Sequence, residues 1–146
     1  KDAVHSAEMP NGVKALQNST NGEILIVQAV ERATGKKMPL VLQSVPLGPG
    51  RANVGIYFKP LTSAQTYATA KDFATDWSGP FQVSALLSAY STMVQQKDGR
   101  IAFFYEEETY GKGLCYTNMY RPLTLEQITG GKFAPISNKG LGNKRK

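Results

Sequence analysis

The sequence contains few of the residues that build common metal and nucleophilic centres. Its 146 residues include one cysteine, one histidine and one tryptophan. A single cysteine cannot form an internal disulfide, and Cys115 with His5 provides neither a zinc constellation nor a Cys-His or Ser-His-Asp set. We expect Cys115 to be a buried structural thiol, because it lies in a short apolar segment that is typical of a strand.

Long apolar runs are also missing, and the excess positive charge is unevenly spread. No segment approaches the roughly 18 apolar residues that a membrane-spanning helix requires, so we expect no membrane span. The net charge is +6, and much of it lies in the last residues among glycine, asparagine and serine. We interpret residues 134–146 as a basic flexible tail rather than a nucleic-acid site, because the other basic residues form no stripe.

Turn formers are plentiful, with 14 glycines and 8 prolines. They separate about nine short apolar or alternating segments, which predicts an all-β meander with almost no helix. One helical turn is predicted after Thr124, with Gln127 completing a capping box, and the chain from Gly130 is expected to be irregular. Outside the central hairpin, strands are predicted over 13–16, 23–30, 39–45, 53–59, 65–69, 82–87 and 114–120.

The chain is organised around the segment from Ser88 to Glu108. Asp98-Gly99 between two apolar runs predicts a hairpin with a type I′ turn, which needs positive φ at both central residues. The second run, residues 101–105, is almost continuously apolar, as expected of a strand that is covered on both faces. Three glutamates follow it directly, and carboxylates beside a buried strand need partners.

A weak internal repeat favours one all-β architecture. When Gly22 is aligned with Gly99, Ile24 matches Ile101, and both units have an Asn/Asp-Gly pair before an apolar strand. A repeated four-stranded meander fits a β-propeller better than a sandwich. Since 146 residues supply only two to three blades and propellers have about four or more, we expect the chain to be a piece of one.

Four motifs, in this order, carry a resemblance to a known family. They are Arg51 after a Pro/Gly-rich loop, A-Y-S-T-M around Tyr90, D-G-R-I-A-F-F-Y-E ending at Glu106, and L-T-L-E-Q-I-T. From Val13 to Phe133 the chain resembles the C-terminal part of bacterial exo-sialidases (neuraminidases). The resemblance implies a six-bladed propeller to which residues 1–133 contribute about the last two blades. It also implies a secreted, periplasmic or cell-surface protein.

The resemblance further implies roles for three residues. Tyr90 resembles the family's nucleophile, Arg51 the last arginine of the triad that holds the sialic acid carboxylate, and Glu106 the acid that orients the first arginine. Glu107 is the alternative to Glu106. Taken without the resemblance, Tyr90 is an ordinary packed tyrosine and Arg51 a solvated arginine.

Other parts of the family's pattern are altered or missing. The segment from Ala70 to Trp77 resembles a degenerate Asp box, a structural turn, in which Asp72 and Trp77 match while Ala70, Ala74 and Asp76 differ. The family's first two arginines, its acid/base aspartate and its tyrosine-activating glutamate match nothing here.

The implied function is exo-hydrolysis of terminal sialic acids, with retention through a covalent tyrosyl intermediate and without a metal or other cofactor. The implied partners are sialylated glycoconjugates and the N-terminal remainder of the propeller. Two alternatives remain: an inactive carbohydrate-binding propeller module, and a β-rich interaction module whose basic tail binds acidic partners.

Overall fold

Antiparallel β-strands form most of the regular structure in a computed structural model that describes residues 3–17, 20–110 and 115–136. Two short α-helices, α1 (Ala70–Ala74) and α2 (Leu125–Thr129), and two 3-10 turns, Ser6–Glu8 and Ala64–Tyr67, complete it. The prediction of a mainly antiparallel β fold is confirmed. The strands are β1 (Ile24–Glu31), β2 (Lys37–Pro46), β3 (Val54–Pro60), β4 (Ser78–Gln82), β5 (Ser88–Gln95), β6 (Ile101–Glu107), β7 (Thr117–Leu123) and β8 (Phe133–Pro135).

The strands form two sheets. The larger has the order β4-β3-β2-β1-β8, and the smaller has the order β5-β6-β7. Each sheet contains a meander of consecutive antiparallel strands. In addition, β8 returns from the end of the described chain and pairs with β1.

The main hydrophobic core lies between the two sheets. Leu40 and Ile56 of the larger sheet and Phe103 of the smaller sheet are fully buried in one cluster. Helix α2 closes this core with Leu125 and Ile128, and its predicted capping box is confirmed: the Thr124 hydroxyl accepts from the amide of Gln127, whose side chain accepts from the amide of Thr124. The two sheets are therefore held together by apolar burial, the main favourable term in folding.

A second apolar cluster covers the opposite face of the larger sheet. Trp77 packs there against Tyr57 and Val41, and its indole N–H donates to the carbonyl oxygen of Phe73 at 2.8 Å. The segment that resembles an Asp box forms helix α1, and Asp72 accepts from the backbone N–H of Thr69 in a second capping box. Trp77 therefore packs in the second apolar cluster and Asp72 caps helix α1, so both residues have structural roles.

Three predicted strands are wrong. Residues 13–16 form no strand; Val13 is buried, but its N–H donates to the hydroxyl of Ser6 instead of a neighbouring strand. Residues 65–69 lie largely in the 3-10 turn Ala64–Tyr67. The strand predicted over 82–87 instead occupies Ser78–Gln82, and the N–H groups of Val83 and Ser84 both donate to the carbonyl of Val54 as the chain leaves the sheet.

Three local predictions also need correction. Asn21-Gly22 carries the same hairpin signal as Asp98-Gly99, but no strand precedes it among residues 3–17. Gly22 instead meets the backbone of Ser44, where an added Cβ would lie 1.7 Å from the carbonyl oxygen. Cys115 is exposed and lies before β7 begins. The chain is regular beyond Gly130, because Phe133–Pro135 forms β8. The rest of the predicted basic tail, from residue 137, lies outside the described residues.

Candidate functional site

The predicted central hairpin is confirmed, with a different turn. Strands β5 and β6 pair in antiparallel register up to Gln95 and Ile101, and the N–H of Gln96 donates to the carbonyl of Arg100 at 2.8 Å. Gly99 has a φ of 87°, but Asp98 does not adopt positive φ. The connection is therefore a longer loop with one left-handed glycine, and not the two-residue type I′ turn, which needs two such positions.

The apolar strand β6 is covered on one face and partly open on the other. Phe103 and Tyr105 point into the core, whereas 46% of the Phe104 side chain is exposed. Phe104 contacts Tyr120 of β7 with ring centroids 4.9 Å apart. The expectation that the strand is covered on both faces is wrong at Phe104, and the open face continues into the candidate site.

A β-bulge sets the position of Tyr90. Ser88 pairs with Glu107 and Ser91 with Tyr105, so that two residues of β5, Ala89 and Tyr90, face Glu106 alone. Bulges change the direction of side chains and are common beside functional sites. Here Ala89 is fully buried and 46% of Tyr90 is exposed.

Glu106 holds the bulge through the backbone of Tyr90. One carboxylate oxygen of Glu106 accepts from the Tyr90 N–H at 3.4 Å, a long hydrogen bond. This carboxylate therefore contacts the main chain of Tyr90. It is half-buried, so solvent reaches part of the side chain.

Arg51 lies over the ring of Tyr90. Its guanidinium carbon is 5.4 Å from the ring centroid, within the range of a cation–π contact. Backbone pairing explains the proximity, because the Ser88 N–H donates to the carbonyl of Arg51 at 2.9 Å and Ala52 forms a bridge with Leu87. Arg51 is exposed, and in the part of the chain that the structure describes its guanidinium forms no hydrogen bond or salt bridge.

The three residues that the resemblance singles out therefore come together, although they are far apart in sequence. Beside them is an open cleft of about 370 Å³. Tyr90 and Glu106 line this cleft, and the Arg51 guanidinium lies over the Tyr90 ring without lining the cleft itself. A phenol and a carboxylate in the cleft, with a guanidinium fork next to the phenol, suit a polar ligand that carries an anion. The cleft is lined by Tyr90, Ser91, Thr92, Phe104, Tyr105, Glu106 and Asn118.

The other two glutamates are directed elsewhere. Glu107 and Glu108 are both buried. Burial raises the pKa of the Tyr105 hydroxyl, and the nearby charge of Glu107 adds to this effect while Arg121 opposes it. Glu108 accepts from the backbone N–H of Cys115 at 3.3 Å. Glu106, and not the alternative Glu107, is thus the carboxylate at the backbone of Tyr90; its role remains a prediction.

Sequence reasoning missed a second polar centre, at Lys59. This lysine is buried, and its ammonium group donates to the carbonyl oxygens of Asp72 at 2.6 Å, of Phe73 at 3.3 Å and of Thr75. Burial lowers the pKa of Lys59, and the charges of Asp76 and Asp72 offset part of the shift. The sequence showed only a lysine at the end of an apolar segment that predicts a strand, residues 53–59.

Lys59 also borders a cavity of about 580 Å³ on the side of helix α1. Its three ammonium protons have three carbonyl acceptors, which matches the donor capacity of a lysine. We therefore assign Lys59 to stability, since the carbonyl groups at the end of α1 would otherwise lack part of their hydrogen bonding.

Within residues 3–17, 20–110 and 115–136, no three or more His, Cys, Asp or Glu side chains are grouped as a metal site would require. No helix in these ranges is long and apolar enough to cross a bilayer. No protein-family model matches the chain, and no curated protein matches it significantly.

Proposed function

We propose that the chain is the C-terminal part of a six-bladed, sialidase-like propeller and supplies Arg51, Tyr90 and Glu106 to an exo-sialidase site. The observation that carries the proposal is the guanidinium of Arg51 above the exposed ring of Tyr90, without an ion-pair partner among residues 3–17, 20–110 and 115–136. The motif resemblance supplies the reaction. The face-to-face packing of two antiparallel meanders supports the propeller, whose blades also pack face to face.

A tyrosine nucleophile suits the chemistry of sialic acid. This sugar carries a carboxylate on its anomeric carbon, and a carboxylate nucleophile would meet a like charge at short range in a low dielectric. A neutral phenol avoids that repulsion, and sialidases are an exception to the two-carboxylate pattern of glycosidases. A free tyrosine has a pKa of roughly 10, so a general base must take its proton. We place that base, and the acid that protonates the leaving group, in the upstream part of the protein.

The proposed reaction has two steps, formation of the tyrosyl intermediate and its hydrolysis. The Tyr90 oxygen forms a bond to the anomeric carbon as the bond from that carbon to the leaving oxygen breaks, and the acid protonates the leaving alcohol. Water then gives a proton to the conjugate base of that acid and attacks the same carbon. The Tyr90 oxygen leaves and regains its proton from the general base, so two inversions give net retention. No metal or other cofactor takes part in these steps.

Arg51 is the binding element of the proposal. A guanidinium fork matches a carboxylate in bidentate geometry and stays charged at any working pH. Because the Arg51 side chain has no anionic partner among the residues that the structure describes, it can bind a ligand without first breaking an ion pair. Glu106 would orient an upstream arginine while it also holds the Tyr90 backbone.

A specific observation keeps the inactive, sialic-acid-binding alternative open. Glu106 contacts the backbone of Tyr90, and this contact cannot activate the phenol. A chain that retains Arg51 without a base would bind sialic acid and not cleave it. The two functions share the anion site and differ in turnover.

The test compares wild type with Tyr90→Phe in the longer protein, using a fluorogenic sialoside for turnover and calorimetry for sialic acid binding. We expect turnover to fall by more than about a thousandfold, because a phenylalanine cannot form the intermediate. Binding should stay within about threefold, because the ring that supports Arg51 remains. Tyr116→Phe, at another exposed tyrosine, is the control.

The outcomes separate the candidates. Unchanged turnover in Tyr90→Phe would remove Tyr90 from the mechanism. Binding without turnover in the wild type would favour the binding module, and absence of both would refute the proposed site.

A further inference from the structure

The loop that carries Arg51 is closed by Asn53. Asn53 has a φ of 60°, a left-handed conformation that asparagine tolerates better than most residues. Its side-chain N–H donates to the carbonyl of Gly48 at 2.8 Å, and its own carbonyl accepts from the N–H of Leu47 at 3.1 Å. One residue therefore ties the incoming arm of the loop to its outgoing arm, with Arg51 between them.

Asn53 also attaches this loop to the segment that leads into β5. Its backbone N–H donates to the carbonyl of Leu86 at 2.9 Å, and its side-chain oxygen accepts from the Gln82 side chain at 3.4 Å. Tyr90 lies a few residues further along that segment. Asn53 therefore lies where the backbone of the Arg51 loop meets the backbone that positions Tyr90.

Among the described residues, the Arg51 side chain makes few contacts that fix its position. It is exposed, and its contact in the described structure is the Tyr90 ring. The location of its guanidinium is therefore determined mainly by the loop backbone. A bidentate carboxylate clamp tolerates displacements of only about 0.5 Å, so a looser loop would weaken it.

We propose that Asn53 is a positioning residue that fixes Arg51 over Tyr90 for carboxylate binding. The identity of the ligand rests on the proposed sialic acid function; the placement of Arg51 does not. Asn53 acts through the Gly48 carbonyl and needs no contact with the ligand.

The main test variant is Asn53→Gly, which keeps left-handed backbone accessible and removes the side-chain hydrogen bonds. Asn11→Gly is the matched control, since Asn11 is also left-handed, with a φ of 48°, and its carbonyl bond to the Trp77 N–H survives the change. Two measurements are made on the full chain. One is the nuclear Overhauser contact between Arg51 and the Tyr90 ring without ligand, and the other is a titration with N-acetylneuraminic acid.

In Asn53→Gly we expect the Arg51–Tyr90 contact to weaken or vanish and sialic acid affinity to fall about three- to tenfold, as for the loss of one hydrogen bond. Asn11→Gly should leave both unchanged. If Asn53→Gly keeps the contact and the affinity, the inference is overturned. If the wild type shows the contact but binds no sialic acid, and Asn53→Gly loses the contact, the positioning role stands and the proposed function fails.

A second variant, Asn53→Asp, adds a pH dependence of the Arg51–Tyr90 contact that a general loss of structure would not produce. At neutral pH its carboxylate faces the Gly48 carbonyl without a proton to donate, so the Arg51–Tyr90 contact should be lost. Below about pH 4 the introduced carboxyl becomes protonated and can donate to that carbonyl, so the contact should recover. Recovery would support the role, and equal loss at both pH values in a folded Asn53→Asp protein would contradict it.

Discussion

Lys59 and Arg51 are two cationic side chains of the described fold that differ in how their N–H groups are used. The ammonium of Lys59 is buried and donates to three backbone carbonyls around the end of α1. Arg51 is exposed, and within the described part of the chain its guanidinium contacts the Tyr90 ring and forms no hydrogen bond. A cation whose donors are all used by the backbone stabilises the fold, whereas a cation with unused donors is available to a ligand.

The largest effect expected from this comparison is on stability at Lys59. Lys59→Met keeps much of the apolar stem but removes the ammonium donor from three carbonyls. Those of Asp72 and Phe73 still accept from the Thr75 N–H and the Trp77 indole N–H, whereas that of Thr75 keeps no other donor among the described residues. An unsatisfied buried group costs about 1–3 kcal/mol, so we expect the free energy of unfolding in urea to fall by about 2 kcal/mol. Lys71→Met, at an exposed position of α1, is the control, and an equal loss in the two variants would end the assignment of Lys59 to stability.

A smaller effect, on binding, is expected at Arg51. Arg51→Lys keeps the charge and loses the planar fork, so sialic acid affinity should fall about tenfold, which corresponds to one charge-assisted hydrogen bond. Because Arg51 is exposed, thermal stability should not change. Arg100→Lys, at the hairpin tip where Arg100 pairs with Asp98 at 2.7 Å, should leave binding unaltered. Undiminished affinity in Arg51→Lys would show that charge alone is recognised.

The smallest effect is a pH dependence at Lys59. The pKa of Lys59 in the folded state lies below its ordinary value of 10.5. At pH values between the folded-state pKa and 10.5, the unfolded state therefore binds more protons than the folded state. The free energy of unfolding then rises with pH. Lys59→Met lacks this contribution, and the stability of wild type relative to the variant should therefore increase as pH approaches 10.5. Urea unfolding of both proteins at pH 7.5, 9.0 and 10.5 measures it. A constant difference would mean that burial does not shift the pKa of Lys59.

The sequence predicted features whose causes are local. Asp98-Gly99 between apolar runs predicted the β5–β6 hairpin, and Thr124 with Gln127 predicted the start of α2. These signals succeed because glycine geometry and capping hydrogen bonds involve residues a few positions apart. The strand wrongly predicted over 13–16 shows the limit. Val13 is buried by contact with the larger sheet while Leu16 is exposed, and none of the described strands pairs with this segment.

The sequence motifs named three residues without predicting their geometry, and the roles of these residues stay predictions. The motifs around Arg51, Tyr90 and Glu106 named the residues that the structure brings together. The bulge that exposes Tyr90 depends on a register shift between two strands, and no residue pattern in β5 alone marks it. Lys59 was missed for a similar reason, since its acceptors belong to a helix that folds over it from elsewhere in the chain.

The pairing of β8 with β1 has a consequence for how the chain assembles. Ala29 pairs with Pro135, so this contact closes a loop that contains almost the whole described fold, and such distant pairings form slowly. During synthesis, β1 is made long before β8, so its edge at Ala29, Val30 and Glu31 waits unpaired. Open edges of this kind recruit other strands, and the late pairing of β8 closes this stretch. Ile24 and Ile26 lie outside that stretch and stay more than half exposed in the finished fold, so β8 covers only one end of β1.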